Sequence, residues 1–327
     1  MVNKERVSTV EHERIKSLIE AMEKEVSKVV VGQTKVIRGI IRGILCNGHV
    51  LVEGVPGVAK TLMIMAIARV TGCDMKRIQF TVDLLPTDIS GIQSYTPGKG
   101  FEIMKGPIFS NFIVADEINR SPPKTQSALL EAMQEKKVTI AKDTYDLPNP
   151  FFVMATENPL ENSGVYLLPE AQVDRFLFKL LVGYPKKKDE EDILDQNMTT
   201  RSFDSYKISP VMTGKDIIEL QEMVKKVFAS DAIKKYIVDI VSVTRKKDLE
   251  FSKYISYGGS PRASISLFIA AKAEALMNGR DFVTPEDVQV VCHPVLRHRL
   301  ILNYQAEADS VSAEKIIDDI LKEVTAP

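Results

Sequence analysis

The chain has no tryptophan, three cysteines and four histidines in 327 residues, and no apolar run that approaches membrane-spanning length. Cys46, Cys73 and Cys292 stand far apart, without CxxC or Cys/His ligand spacing, which excludes a disulfide framework or a zinc module. They read as reduced thiols of a cytoplasmic protein. Neither charge is in excess: 43 Lys and Arg against 44 Asp and Glu leave a net charge of −1, giving no support for a strongly basic nucleic-acid surface. The opening residues are charged and amphipathic rather than an apolar signal region, and no membrane insertion is expected. His49, His293 and His298 also lack ligand spacing and read as packing or surface residues, while Met63 and Met65 read as core filling.

What is present is a chain long enough for two domains. Its organising stretch begins at Val50. Val50, Leu51 and Val52 read as a buried strand, Gly54-Val55-Pro56-Gly57-Val58-Ala59-Lys60-Thr61 as a phosphate-binding loop, and Leu62 onward as an apolar helix. In that arrangement backbone N–H groups of the loop and helix start converge on phosphate oxygens. Lys60 would reach the β- and γ-phosphates, and the Thr61 hydroxyl would ligate Mg2+. The general pattern has glycine where this chain has Ala59. That position is expected at the onset of helical geometry, where a small Cβ is tolerated.

Residues 9–30 carry apolar side chains at helical spacing, and 36–45 resume the pattern. The break between them, Val31, Gly32 and Gln33 after Val30, reads either as a wall for an adenine ring or as a plain helix–helix corner. After the loop helix, Gly72 is a stop signal, and 78–81 reads as a second strand. A loop or short helix over 82–91 and a hairpin over 92–104, turning at Thr96-Pro97-Gly98-Lys99-Gly100, come next. Phe112-Ile113-Val114-Ala115-Asp116-Glu117 is continuous enough for a strand buried on both faces. Its terminal acids lie where open α/β sheets bind ligands. There Asp116 would hold Mg2+ through its water shell, and Glu117 would polarise the attacking water.

Ser121-Pro122 predicts a helix start, 138–147 a second hairpin, 151–156 another buried strand and 178–182 the last. Asn158, just past the 151–156 strand, could orient the lytic water or touch the γ-phosphate, although Asn158-Pro159 alone is a turn signal. Arg175 alone is indistinguishable from a surface arginine. From about Tyr184 the patterns turn helical, over 189–199, 214–228, 231–246, 262–278, 285–292 and 313–324. Five strands interleaved with helices, then a helical tail, predict an α/β domain over 1–185 and a lid over 186–327. Arg262 opens one lid helix, where a cation opposes the helix dipole and so suggests an anionic partner.

Together these residues resemble the AAA+ ATPases, and within them the MoxR family. The loop with its Ala59, Gly106-Pro107-Ile108-Phe109, Ala115-Asp116-Glu117-Ile118-Asn119-Arg120 and Ala155-Thr156-Glu157-Asn158-Pro159 are similar to that family, as are Leu168-Pro169-Glu170-Ala171-Gln172-Val173-Asp174-Arg175-Phe176 and Ser260-Pro261-Arg262-Ala263. The family commonly has glutamine where this chain has Glu157. The resemblance implies an αβα core with a central parallel sheet, followed by a smaller all-helical lid. It also implies a homo-oligomeric ring, a hexamer, with ATP at each interface. Val31 to Gln33, the loop and Leu62 would hold the nucleotide, with Thr61 and Asp116 on the metal. Asn158 becomes the first sensor, Arg175 the arginine finger and Arg262 the second sensor, in its own subunit or across the interface. The 92–104 hairpin would face the ring's channel. The implied activity is ATP hydrolysis driving remodelling, assembly, activation or metal-cofactor insertion of partner proteins, with von Willebrand factor A domains as partners. The chain has no Asp-x-Ser-x-Ser motif of its own, so such a domain would be a separate protein. Two alternatives remain open from sequence: the ATPase subunit of a metal chelatase, and a nucleic-acid-translocating motor. Near-neutral charge and the lack of Trp weigh against the motor.

Overall fold

The computed structural model describes residues 9–159, 164–196 and 203–327. Two helices open the chain, α1 (Thr9–Ser27) and α2 (Thr34–Leu45). β1 (Val50–Gly54) leads into α3 (Lys60–Val70), β2 (Met75–Gln79), the short α4 (Pro86–Ser90) and the hairpin β3 (Gly91–Thr96) and β4 (Gly100–Lys105). Next come β5 (Phe112–Asp116), α5 (Pro123–Glu135), a hairpin of β6 (Lys137–Ile140) and β7 (Asp143–Asp146), and β8 (Phe152–Glu157). α6 (Glu170–Val173) and β9 (Phe178–Val182) complete the α/β part. Beyond it lie α7 (Lys187–Gln196), α8 (Gly214–Lys226), α9 (Asp231–Val243), β10 (Ile255–Tyr257) and α10 (Pro261–Met277). The chain closes with α11 (Pro285–Leu296), β11 (Ile301–Leu302), α12 (Tyr304–Ala308) and α13 (Ala313–Glu323).

Five strands form one parallel sheet in the order β2-β5-β8-β1-β9. The continuous apolar runs of β5 and β8 are buried because helices cover both faces, the usual setting of an all-parallel sheet. Side chains alternate between two cores. Val50, Val52, Phe112, Val114, Phe152 and Met154 face the helices of both ends of the chain, whereas Leu51, Ile113, Ala115, Val153 and Ala155 face α5 and the hairpins. Because every strand runs the same way, Gly54, Asp116 and Glu157 end on one edge.

α10 is buried nearly all round and packs on α1, α2, α8, α9 and α11. Within that packing the Arg42 guanidinium donates to the Glu274 carboxylate, through Nε at 2.8 Å and through Nη2. Desolvation raises the Glu274 pKa, but Arg42 and Arg38 outweigh it and hold the carboxyl below its ordinary value. Among the described residues no helix is long and apolar enough to cross a membrane.

Three expectations change. The second strand occupies Met75–Gln79, starting three residues and ending two residues before the expected 78–81, since the parallel pairing runs from Met75 opposite Phe112 to Gln79 opposite Asp116. Polar Lys76, Arg77 and Gln79 on this edge strand disguise it as a loop. α5 starts one residue after the predicted Pro122. The lid also carries a two-stranded antiparallel ladder, β10 with β11, too short to leave a sequence period. Predicted residues 197–199 of the first lid helix lie outside the described residues.

Candidate functional site

The loop from Gly54 to Thr61 is shaped by three backbone requirements. A Cβ at Gly54 would lie 2.6 Å from the Val182 carbonyl oxygen, so glycine permits β9 to pair at the loop's root. Gly57 takes φ +84° with nothing within 4 Å of its Cβ position, leaving the concavity open. Ala59 takes φ 62° and ψ 24°, the left-handed region, immediately before α3. This corrects the expectation of helical geometry there: the position needs a left-handed residue, and alanine meets the need with steric strain. The turn aims the first N–H groups of α3, those of Lys60, Thr61 and Leu62, outward, where an α-helix supplies them no acceptor. Lys60 Nζ donates to the carbonyls of Gly54 at 2.6 Å and Glu157 at 3.2 Å. Its ammonium is thereby suspended between the ends of β1 and β8.

The acids close the far side. Asp116 Oδ1 accepts from the Thr156 hydroxyl at 2.6 Å, and Oδ2 from the Thr61 hydroxyl at 3.4 Å. Arg77 also donates to Oδ2, from Nε at 3.0 Å and Nη2 at 2.6 Å. Glu117 has φ 56°, and its N–H donates to Thr156 Oγ1 at 2.9 Å. Its carboxylate accepts from Gln79 Nε2 at 2.8 Å and Arg120 Nη1 at 2.9 Å. Thr156 therefore ties the two acids together. Asn158 is buried beside them at the end of β8. The ammonium, helix N–H groups, hydroxyl and carboxylates form a donor set suited to a polyphosphate with a hard divalent cation.

Glu157 points to the opposite face from Asp116, opposite Glu53 across the ladder. Burial pushes its carboxyl above the ordinary range, Lys179 counters that, and Glu53 adds to it. Lys179 Nζ meets Glu53 at 2.6 Å. Glu157 therefore joins Glu53 and Lys179 in a half-buried cluster on the sheet face opposite Asp116, where Lys60 also favours its charged form.

Val31, Gly32 and Gln33 also reach this edge. Gln33 Nε2 donates to the Gly183 carbonyl at 3.0 Å, next to the residue that pairs with Gly54, and the Gly32 Cβ position abuts Asp189. The turn is a corner between α1 and α2 whose Gln33 reaches the strand end beside Gly54.

Arg175 and Arg262 lie elsewhere. Phe178 pairs with Val50 and Val182 with Gly54, so residues just before β9 sit at the amino edge of the sheet, about 13 Å or more from the loop at 3.3 Å per residue. Arg175, exposed after α6, borders a cavity lined by Ser127, Glu131, Gln134 and Glu135 of α5. Arg262 Nη1 donates to Asp174 Oδ2 at 3.0 Å, one residue from Arg175. Asp174 Oδ1 accepts from Arg299 Nε at 2.7 Å. The two predicted arginines are thus brought together, and neither is brought to Lys60. His49, His293 and His298 are also separate, bonded respectively to backbone within the core, to Glu314 and Asp318, and to the Phe176 carbonyl.

Sequence reasoning missed Arg77, Gln79, Arg120 and Thr156. Arg77 and Gln79 stand two apart on one face of β2, a signal available only with that strand in its true register.

Residues 49–178 match the ATPase family associated with various cellular activities, and residues 249–320 match an AAA lid domain. The chain is 46% identical over 308 residues to the chaperone MoxR1 of Mycobacterium tuberculosis, covering 93% of this chain and 81% of that one. It is 29% identical over 322 residues to the protein MoxR of Methylorubrum extorquens, covering 92% of each. The crystal structure of a candidate ATPase from Cytophaga hutchinsonii superposes with a TM-score of 0.88 at 46% identity, covering 97% of both chains.

Proposed function

The chain belongs to the MoxR family of AAA+ ATPases and hydrolyses ATP, and from that premise we propose that it works as a ring, a hexamer, in which each copy holds a nucleotide that the next copy completes. One observation carries this reading. Arg175 and Arg262 stand together at the amino edge of the sheet, with Lys60 at the carboxyl edge. Neither arginine is at its own loop, and this separation supports a role at a neighbour's phosphate. Arg262 accordingly acts across the interface.

In this reading residues 1–185 form the nucleotide-binding core and 186–327 the lid. Val31, Gly32 and Gln33 border the adenine. Gly54, Val55, Pro56, Gly57, Val58, Ala59, Lys60, Thr61 and Leu62 wrap the phosphates, and Thr61 and Asp116 would hold Mg2+. A Mg2+ held by them would supply charge neutralisation for the transferring phosphoryl group. Glu117 accepts the proton of the attacking water on Oε1, since Gln79 and Arg120 both donate to Oε2. Asn158 orients that water. As its oxygen bonds to the γ-phosphorus, the bond to the β-phosphate bridging oxygen breaks and ADP departs. Arg175 and Arg262 stabilise the charge spread over the transferring group. Positioning and electrostatics perform the catalysis.

The work delivered is remodelling, assembly or activation of a partner protein, metal-cofactor insertion included, through an adaptor bearing a von Willebrand factor A domain. Hairpin β3–β4 supports a protein client, since Tyr95 and Phe101 stack edge to face at 5.3 Å between ring centroids while both remain exposed. The test is capture with Glu117→Gln protein and Mg-ATP from source-cell lysate, with and without nuclease, against a Lys60→Ala control. An ATP-dependent, nuclease-resistant partner carrying a von Willebrand A domain is expected. Capture that disappears with nuclease would instead make the protein a nucleic-acid motor.

A further inference from the structure

We infer that Arg77 is a built-in rival for the divalent cation at Asp116 and thereby sets how much metal the ATPase needs. The inference rests on reading Asp116 as the metal's carboxylate. Of that carboxylate's two oxygens, Oδ1 is taken by the Thr156 hydroxyl at 2.6 Å. Oδ2 faces the loop, accepting from Thr61 Oγ1 at 3.4 Å, and this same oxygen takes both Arg77 bonds, at 2.6 and 3.0 Å. A cation shared between Thr61 and Asp116 therefore approaches the oxygen that already carries a guanidinium.

The guanidinium is held in place. Arg77 stands opposite Val114 in the β2–β5 ladder, two residues before Asp116, so its side chain runs along the sheet face to reach Oδ2. Its Nη2 also donates to Gln79 Oε1 at 2.7 Å, and Gln79 Nε2 donates to Glu117. Asp116 has little exposure and Arg77 about half, 11% against 52% for the side chains. Weak screening around the carboxylate makes a second cation at Oδ2 unfavourable, while the exposed arginine has room to swing away.

Metal binding must either displace Arg77 or tolerate it. If Arg77 is displaced, the free energy of its contact with Asp116 is subtracted from metal affinity; if it stays, the repulsion between guanidinium and metal is subtracted instead. Arg77 would be an orienting residue instead if it held Asp116 in the metal-binding pose. The two roles have opposite signs.

Binding of a fluorescent ADP analogue across a Mg2+ titration reads the half-saturating metal concentration without hydrolysis. Arg77→Gln is expected to lower it about three- to tenfold, the range that a partly exposed, charge-assisted pair supports. Arg77→Lys, which keeps the charge, should stay nearer the parent. Asp116→Asn should raise the metal requirement, and adding Arg77→Gln to it should change nothing further. An unchanged or higher requirement in Arg77→Gln, with parental far-UV dichroism, overturns the inference while leaving Asp116 as the metal's carboxylate. If Asp116→Asn itself leaves the requirement unaltered, the metal reading falls first and the inference falls with it.

Discussion

Ala59 holds a left-handed backbone one residue before the phosphate-loop lysine. For an L-residue that geometry costs about 1–2 kcal/mol, partly offset by the greater entropy a glycine loses on folding. Ala59→Gly should therefore stabilise the chain by about 0.5–1 kcal/mol, read as a higher urea midpoint. A lower midpoint would mean that the methyl group packs favourably enough to outweigh its strain. At His49 the balance is protonic. The Val153 N–H donates to Nδ1 at 3.0 Å, so Nε2 carries the proton and donates to the Met133 carbonyl at 3.0 Å. Burial, opposed weakly by that carbonyl, pulls the ring's pKa from 6.5 down to about 4. Above 6.5 both folded and unfolded chains hold a neutral ring, and its contribution to stability is complete. Below that, the unfolded chain takes up a proton the folded one refuses, and the contribution is lost progressively down to about 4. Between pH 7.5 and 5 the stability gap between the parent and His49→Asn should narrow by about 2 kcal/mol. A gap independent of pH would show that the ring titrates normally in the fold. Neither residue's role was legible in the sequence. A left-handed φ depends on how the loop joins β1 to α3, and the His49 partners lie 84 and 104 positions away.

Elements were more legible where their periodicity was strong. The Phe178–Val182 strand has the bounds its apolar run predicts, and the lid helices differ from expectation by a few residues at their ends. β2 starts three residues and ends two residues before its expected bounds because an edge strand has fewer apolar residues to announce it. How elements attach was not legible at all. Arg299, with only 2% of its side chain exposed, donates to Asp174 Oδ1 and to the carbonyls of Asp174, Phe176, Leu177 and Val295. It anchors the segment after α11 to the turn that carries Arg175. Burial lowers its pKa and Asp174 raises it again. Arg299→Met should cost about 2–4 kcal/mol in urea denaturation, since it removes a buried charge and its bonds to Asp174 Oδ1 and four carbonyls, while Arg262 stays on Asp174 and His298 on the Phe176 carbonyl. Adding Asp174→Asn should cost less than the sum of the two single changes, and strict additivity would show that the pair is not coupled.

For the whole molecule, the separation of Lys60 from Arg175 makes a prediction that no single chain can satisfy. Arg175→Ala should lose turnover by about 10³ or more, the range for an arginine finger, with ADP affinity nearly unchanged. Lys60→Ala should lose nucleotide binding. Mixed together, the Lys60→Ala copies supply an intact arginine to the intact loops of Arg175→Ala copies, so turnover should partly return. Mixed assemblies that hydrolyse no faster than either variant alone would sink the shared site. Glu117→Gln should bind ATP and stall, and substantial residual hydrolysis would remove Glu117 from the role of base.

The sequence by itself determined the phosphate loop, the Asp116-Glu117 strand end, the two hairpins and the helical character of the tail. Each is local, written in neighbouring residues whose chemistry and spacing suffice. Only the tertiary structure decided that Arg77 meets Asp116, that Arg299 clasps the turn before β9, and that both Arg175 and Arg262 stand at the far edge of the sheet from Lys60. Those facts follow from strand order. β2 lies beside β5, and β9 beside β1 in parallel, and this order brings together or holds apart residues whose spacing along the chain carries no trace of it.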